Sequence, residues 1–325
     1  MIKPSILCPV DFSEASRGAL RYGAVLAEHF GSELVVMTAT DPLLAEAAAM
    51  ETSAADVTAS TLDALRRFFS ETIERCLKAT PVAFVASVGK PEAEILRIAR
   101  ARRLELIVIS SHGLTGFRKM FFGSTTERVL RETSVPVLVV PGDDRGPLSL
   151  ADATSRVRRI LAPVLLSPIN ARQIAVAKGL AEALPAPALL LHVVEPLRAV
   201  LPRSDRYLAK VERERRARAE SELERIAGGA GPARVEALIA YGEPSEEIVK
   251  VARDRNAGLI VMALQGSPAS GPRIGSVTYR VLCAAGRPVL ALPAFARRAS
   301  AGRPPLNFSP AAKKPAPPTR RRKAK

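Results

Sequence analysis

Residues 104–141 read L-E-L-I-V-I-S-S-H-G-L-T-G-F-R-K-M-F-F-G-S-T-T-E-R-V-L-R-E-T-S-V-P-V-L-V-V-P. A mostly apolar run enters a loop bearing Gly113, and the loop enters a predicted helix that opens Gly123-Ser124-Thr125. A second apolar run, P-V-L-V-V, closes the stretch. Backbone N–H groups at such a loop and at a helix N-terminus form a ready anion site, and the helix dipole adds positive potential there. Ser124 places a hydroxyl beside the first amides. A nucleotide phosphate suits this arrangement. The stretch is not G-x-x-x-x-G-K-[ST], because no lysine follows the second glycine, and it is not G-x-G-x-x-G. Glycines also occupy strand-to-helix turns for packing alone, so the loop by itself leaves both readings open.

The rest of the chain repeats this unit. Ile6-Leu7-Cys8-Pro9-Val10 matches Ile160-Leu161-Ala162-Pro163-Val164, and residues 34–42 match residues 188–196. Gly89-Lys90-Pro91 matches Gly242-Glu243-Pro244, and residues 135–141 match residues 287–293. Four matches in one order at one near-constant offset mean tandem domains, since the period is far too long for a solenoid. In the first copy strands are expected near 5–10, 33–39, 82–88, 104–110 and 136–140, with helices near 13–30, 59–79, 91–102 and 123–133. Short, uniformly apolar strands alternating with amphipathic helices predict a parallel sheet covered on both faces. Ser13 or Asp11 is expected to cap the first helix, and Pro91 and Pro244 suit first helical turns. Ligands of such sheets bind beyond the carboxyl ends of the strands. Asp11 ends the first strand and residues 110–113 end the fourth, which puts both at one rim.

These features set the expected domains: residues 1–142 and 158–294, a polar linker at 143–157, and a basic Pro/Ala/Lys/Arg tail at 295–325. Residues 43–58 are read as a surface excursion or a weak helix. The net charge of +16 is uneven. Residues 1–150 hold 17 basic and 18 acidic side chains, residues 151–296 hold 21 and 14, and residues 297–325 hold 10 and none. The tail is read as a disordered extension or as a contact for nucleic acid or another acidic surface through Arg320–Lys323 and Lys325. Residues 204–227 mix Glu and Arg at three- and four-residue spacings and predict a solvated, ion-paired helix. Cys8, Cys76 and Cys283 have no metal or redox spacing. With no apolar run long enough to span a bilayer and no signal-peptide pattern, a cytoplasmic protein without membrane association is expected.

Both repeats resemble domains of the universal stress protein (UspA-type) family. The family pattern is G-x-x-G, nine residues, then G-[ST], followed by a helix and a P-V-L-V-V strand. Here Ser110-Ser111-His112-Gly113, residues 114–122 and Gly123-Ser124 match it, with Ser110 in the place of the first glycine. Pro9-Val10-Asp11 matches the family's P-[VT]-D strand end. The resemblance implies two tandem α/β, doubly wound, five-stranded parallel-sheet domains of the adenine-nucleotide alpha-hydrolase-like fold. It also implies an ATP site, with or without Mg2+. Asp11 would then stand by the adenine and ribose, Ala39 would line the adenine pocket through its backbone, and Gly113, Gly123, Ser124 and Thr125 would cradle the phosphates. Pro9, Val10, Ser110 and His112 complete the candidate set. Ser110 adds a Cβ near the ribose, which is accommodated where that residue keeps φ below zero.

His112 has no evident acid or nucleophile partner, so no catalytic residue and no metal ligand is assigned. Phe117, Met120, Phe121 and Phe122 read as lid or core packing. The second copy carries Leu165 in the place of Asp11 and only eight residues between Gly266 and Gly275, so it is expected to serve folding and pairing. Three functions follow: a stress-response regulatory protein that binds adenine nucleotide through its first domain, a slow ATPase using Asp11 and Ser124, or a nucleotide-free scaffold. The P-V-L-V-V edge strands would pair within one chain or between two copies of a homodimer.

Overall fold

A computed structural model describes residues 4–50, 53–73, 80–102, 104–112, 123–167, 170–184, 186–196, 205–228, 234–267 and 271–293. In the first half these form β1 (Ser5–Pro9), α1 (Glu14–Phe30), β2 (Glu33–Thr40), α2 (Pro42–Ala49) and α3 (Ala54–Ile73). They continue as β3 (Val82–Val88), α4 (Pro91–Ala101), β4 (Leu104–Ser110), α5 (Ser124–Glu132) and β5 (Val137–Val140). α6 (Leu150–Arg156) connects to the second half, which repeats the order as β6 (Ile160–Pro163), α7 (Ala171–Ala183), β7 (Ala188–Val194), α8 (Asp205–Ala227), β8 (Val235–Tyr241) and α9 (Pro244–Asp254). It ends with β9 (Leu259–Ala263), the short strands β10 (Gln265–Ser267) and β11 (Gly271–Arg273), α10 (Ser276–Ala284) and β12 (Val289–Leu292).

Each half holds a five-stranded parallel sheet in the order β3-β2-β1-β4-β5 and β8-β7-β6-β9-β12, as the repeat predicts. The two sheets join into one of ten strands, because β5 and β12 pair antiparallel with Leu138 directly opposite Leu290. Those two leucines are equivalent positions of the repeat, so the halves meet about a local two-fold axis through that pair. The edge strands therefore pair within one chain, and the inter-chain alternative is not needed to cover them.

Alternation along the strands sends side chains to two separate cores. Ile6, Cys8, Leu34, Val36, Leu106 and Val108 face α1 and α3, where Leu20, Ala24, Leu65 and Phe68 are buried. Leu7, Val35, Met37, Ile107 and Ile109 face α4 and α5, where Ile95, Ile98, Val129 and Leu130 are buried. The second half copies this with α7 and α8 on one face and α9 and α10 on the other.

Three segments differ from the sequence reading. The segment read as a polar linker folds: Ser149 caps α6 by accepting from the Asp152 amide, and Asp144 accepts from the Tyr22 hydroxyl on α1 at 3.0 Å. Gly18 lets this segment lie close, since a Cβ there would stand 1.9 Å from the Asp144 carbonyl oxygen. Residues 43–58 contribute α2, capped by Asp41 with Pro42 at its start, and the first turn of α3, so the second helix begins near 54 and not 59. In the second half the loop after β9 is not open: β10 and β11 pair antiparallel as a hairpin, and β11 packs against α5 of the first half. The basic tail and residues 113–122, with Phe117, Met120, Phe121 and Phe122, lie outside the described residues. Among the described residues no helix is long and apolar enough to cross a membrane.

Candidate functional site

The strand order reverses between β1 and β4, and a cleft of about 320 Å³ opens at their carboxyl ends. Pro9, Val10, Asp11, Ala39, Ser110, His112, Gly123, Ser124 and Thr125 all line it. Nine of the ten residues expected from sequence thus meet at one place, and the tenth, Gly113, lies outside the described residues. The sequence reading missed Ser16 on α1, Met37 and Thr38 on β2, Pro91 and Ile95 on α4, Ile109 on β4 and Thr126 on α5. Pro91 was visible as half of a repeated Gly-x-Pro, but that pattern reads equally as a helix start. The others carry no signal until the topology brings their strands together.

Local bonding positions each wall. The Val10 amide donates to the Met37 carbonyl at 2.8 Å, which extends the β1–β2 ladder to the rim. Phe12 then turns the chain with a left-handed φ of 63°, an uncommon backbone state for a bulky residue. Its ring meets Phe68 edge-on at 5.4 Å between centroids. Asp11 is left at the cleft, and its Oδ1 accepts from the Ser13 amide at 3.2 Å and the Ser13 hydroxyl at 2.6 Å. Ser13 in turn caps α1 by accepting from the Ser16 amide. Asp11 therefore braces the cap residue, and Ser13 is the cap.

On the opposite wall Gly123 is the N-cap of α5, and no side chain caps that helix. Uncapped first-turn amides are the groups an anion satisfies. The Gly123 amide donates to the Ser111 carbonyl at 2.9 Å, and a Cβ on Gly123 would come within 3.1 Å of that oxygen. A side chain at this position would press on that oxygen, and glycine avoids the crowding.

Ser110 is buried and is absent from the residues with positive φ, so its Cβ causes no backbone strain. Its hydroxyl donates to the His112 carbonyl at 2.8 Å, and its own carbonyl accepts from the Thr126 hydroxyl at 2.9 Å. The His112 Nδ1 and Ser111 Oγ stand 2.8 Å apart, and that Oγ also accepts from the Gly142 amide at 3.1 Å. His112 is thus held by the loop through the Ser111 hydroxyl, and no carboxylate is bonded to it among the described residues. Beside the cleft, Arg128 of α5 pairs with Glu92 of α4. Burial raises the Glu92 carboxyl, but the Glu92 amide and Arg128 outweigh it, so the group sits below the usual glutamate value. No cluster of His, Cys, Asp or Glu that could hold a metal occurs among the described residues.

The equivalent rim of the second half is built differently. Leu165 stands 59% exposed where Asp11 stands in the first half. Asn170, the N-cap of α7, and Gln173 in its first turn bond to the strand ends beside it. Gln173 Nε2 donates to the Pro163 and Val261 carbonyls at 2.7 and 2.8 Å, and Asn170 donates to Gln173 Oε1 at 2.7 Å. The Leu165 amide donates to Asn170 Oδ1, and the His192 Nδ1 donates to the Val164 carbonyl at 2.9 Å.

A model of the universal stress protein family matches the chain twice, over residues 4–141 and 156–293. The chain belongs to the universal stress protein family. The chain is 27% identical over 150 residues to universal stress protein MJ0577 of Methanocaldococcus jannaschii, a stretch covering 42% of this chain and 93% of that one. A universal stress protein of Thermus aquaticus is 34% identical over 120 residues, or 37% of this chain and 86% of its own. The crystal structure of a universal stress protein from Archaeoglobus fulgidus superposes on both halves with a TM-score of 0.61 at 20% identity, covering 89% of this chain and 97% of that one. The tandem universal stress protein architecture is therefore shared, whereas the unequal rims are properties of this chain's own residues.

Proposed function

We propose that this universal stress protein binds an adenine nucleotide, ATP, in the cleft of its first half and acts as a nucleotide-responsive regulatory module. The single observation that carries this reading is the meeting of an uncapped helix N-terminus with a carboxylate across one cleft at the strand switch point. Phosphates would lie on the Ser124 and Thr125 amides, where the helix dipole favours negative charge, with Gly123 letting them approach the backbone closely. Asp11 would accept from ribose hydroxyls, and the Ala39 backbone, with Met37 and Ile95, would border the base. Any Mg2+ would come with the nucleotide and be held chiefly by its phosphates, because the described residues supply no ligand cluster there. Binding without turnover is the favoured chemistry. Hydrolysis needs a positioned water and a base, and His112 is already engaged by Ser111.

The test is nucleotide identification by mass spectrometry in the purified protein, followed by calorimetric titration of ATP into wild type and Asp11→Ala. Wild type is expected to bind one ATP per chain. The variant is expected to bind about tenfold more weakly, the equivalent of ~1.4 kcal/mol for a lost hydrogen bond to a charged group. No binding to wild type at millimolar ATP would remove the proposal, and phosphate release during the titration would favour the slow ATPase.

A further inference from the structure

A second cavity, of about 100 Å³, lies where the two halves meet, on the sheet face that carries α1 and α7. Its walls come in pairs related by the internal repeat: Leu26 with Leu180, Leu106 with Leu259, and Leu138 with Leu290. The last pair is the one on the local two-fold axis. α6, from the connecting segment, closes one side with Leu150, Ala153 and Val157. The surface presented to the cavity is almost wholly hydrocarbon.

We propose that this cavity is a ligand site for a small, uncharged, apolar molecule the size of a single ring, separate from the nucleotide cleft. Three observations carry it. First, the lining offers water almost no polar partner, so an apolar guest displaces it at little cost. Second, the lining departs from the two-fold: the repeat equivalents of His29 and Phe30 at the end of α1 are the smaller Ala183, which ends α7, and Leu184, its C-cap, and all four line the cavity. Third, burial pushes the His29 imidazole below the ordinary histidine value, so this lining residue is neutral near pH 7. A charged or strongly polar ligand would lose its hydration and find no partner. An occupant would touch both halves and α6 together.

Benzene is the probe. Titrated into the full chain, it is expected to raise the unfolding temperature in a saturable manner and to bind once per chain, whereas pyrazine, the same ring with two acceptor nitrogens, is expected to bind at least tenfold more weakly. Ala183→Leu and Ala153→Leu, each filling the space from a different helix, are expected to abolish the benzene shift and to leave the ATP titration unchanged. The proposal is overturned if wild type shows no saturable benzene binding up to the solubility limit. It is also overturned if pyrazine binds equally well, or if either folded variant binds benzene like wild type. Because ATP is measured in a separate titration, failure of the nucleotide reading leaves this test intact.

Discussion

At the rim of the first half a carboxylate, an uncapped helix and small side chains surround an open cleft. At the equivalent rim of the second half Asn170, Gln173 and His192 bond the strand-end carbonyls and amides to one another. The two share one strand order and one core pattern. Both α5 and α10 start at a glycine with no side-chain cap, so the difference lies on the other wall, with Asp11 in the first half and Leu165 beside the bonded Asn170 and Gln173 in the second. Fold and site are therefore separable here: the cores keep both sheets, while the residues at the two rims differ.

The sharpest way to break the comparison is at the paired glycines. Gly123→Val should lower ATP affinity by about a hundredfold, since a lost pair of charge-assisted bonds is worth ~2.7 kcal/mol. Gly275→Val should leave it unchanged by calorimetry. Equal losses would show that both rims bind. Next comes Gln173→Ala, which strips two buried carbonyls and the Asn170 amide of their partner. We expect ~2–3 kcal/mol of destabilisation, seen as a lower denaturant midpoint, with ATP affinity intact.

Leu165→Asp tests whether the carboxylate alone makes the difference. It should not create a second site, and ATP stoichiometry should stay at one per chain, because Asn170 and Gln173 still bond to the strand ends beside it. Ser110→Gly should move ATP affinity by less than about threefold, since this serine has no backbone strain and bonds locally.

The smallest effect concerns two arginines at equivalent positions, Arg128 paired with Glu92 and Arg280 paired with Glu243. Both carboxyls are held below the usual value. At Glu243 the Ser245 hydroxyl acts first, with Arg280 a lesser cause. At Glu92 burial works in the opposite direction, and the backbone amide and Arg128 prevail. A lowered folded-state value means stability present above the ordinary glutamate range and lost as the pH falls through the lowered one. Arg128→Ala and Arg280→Ala should each cost under about 1 kcal/mol at neutral pH. Both differences should close on acidification in thermal melts.

Much of this was legible in the chain. The repeat marks tandem units, the apolar runs mark the strands, and Asp11 and Gly123 mark opposite walls of one rim before any coordinates. Less legible were contacts between elements distant in sequence. Ser16, Met37 and Ile95 look like ordinary core positions, and only the β2-β1-β4 order turns them toward the cleft. The folding of residues 143–157 escaped because its polarity resembles a linker, while its order comes from Tyr22 and the Gly18 notch on another element. In the second rim the exchange of Asp11 for Leu165 was visible in the sequence, but the bonding of Asn170, Gln173 and His192 beside it was not.

The antiparallel seam at Leu138 and Leu290 has a consequence for evolution. In a symmetric dimer of identical chains each substitution is made twice, so a change that closes one rim closes both. Here two rims at opposite ends of one sheet, joined by the same kind of seam, are encoded separately. The second could exchange an aspartate for a leucine while the first kept its own, and their pairing does not weaken on dilution because one polypeptide holds them together.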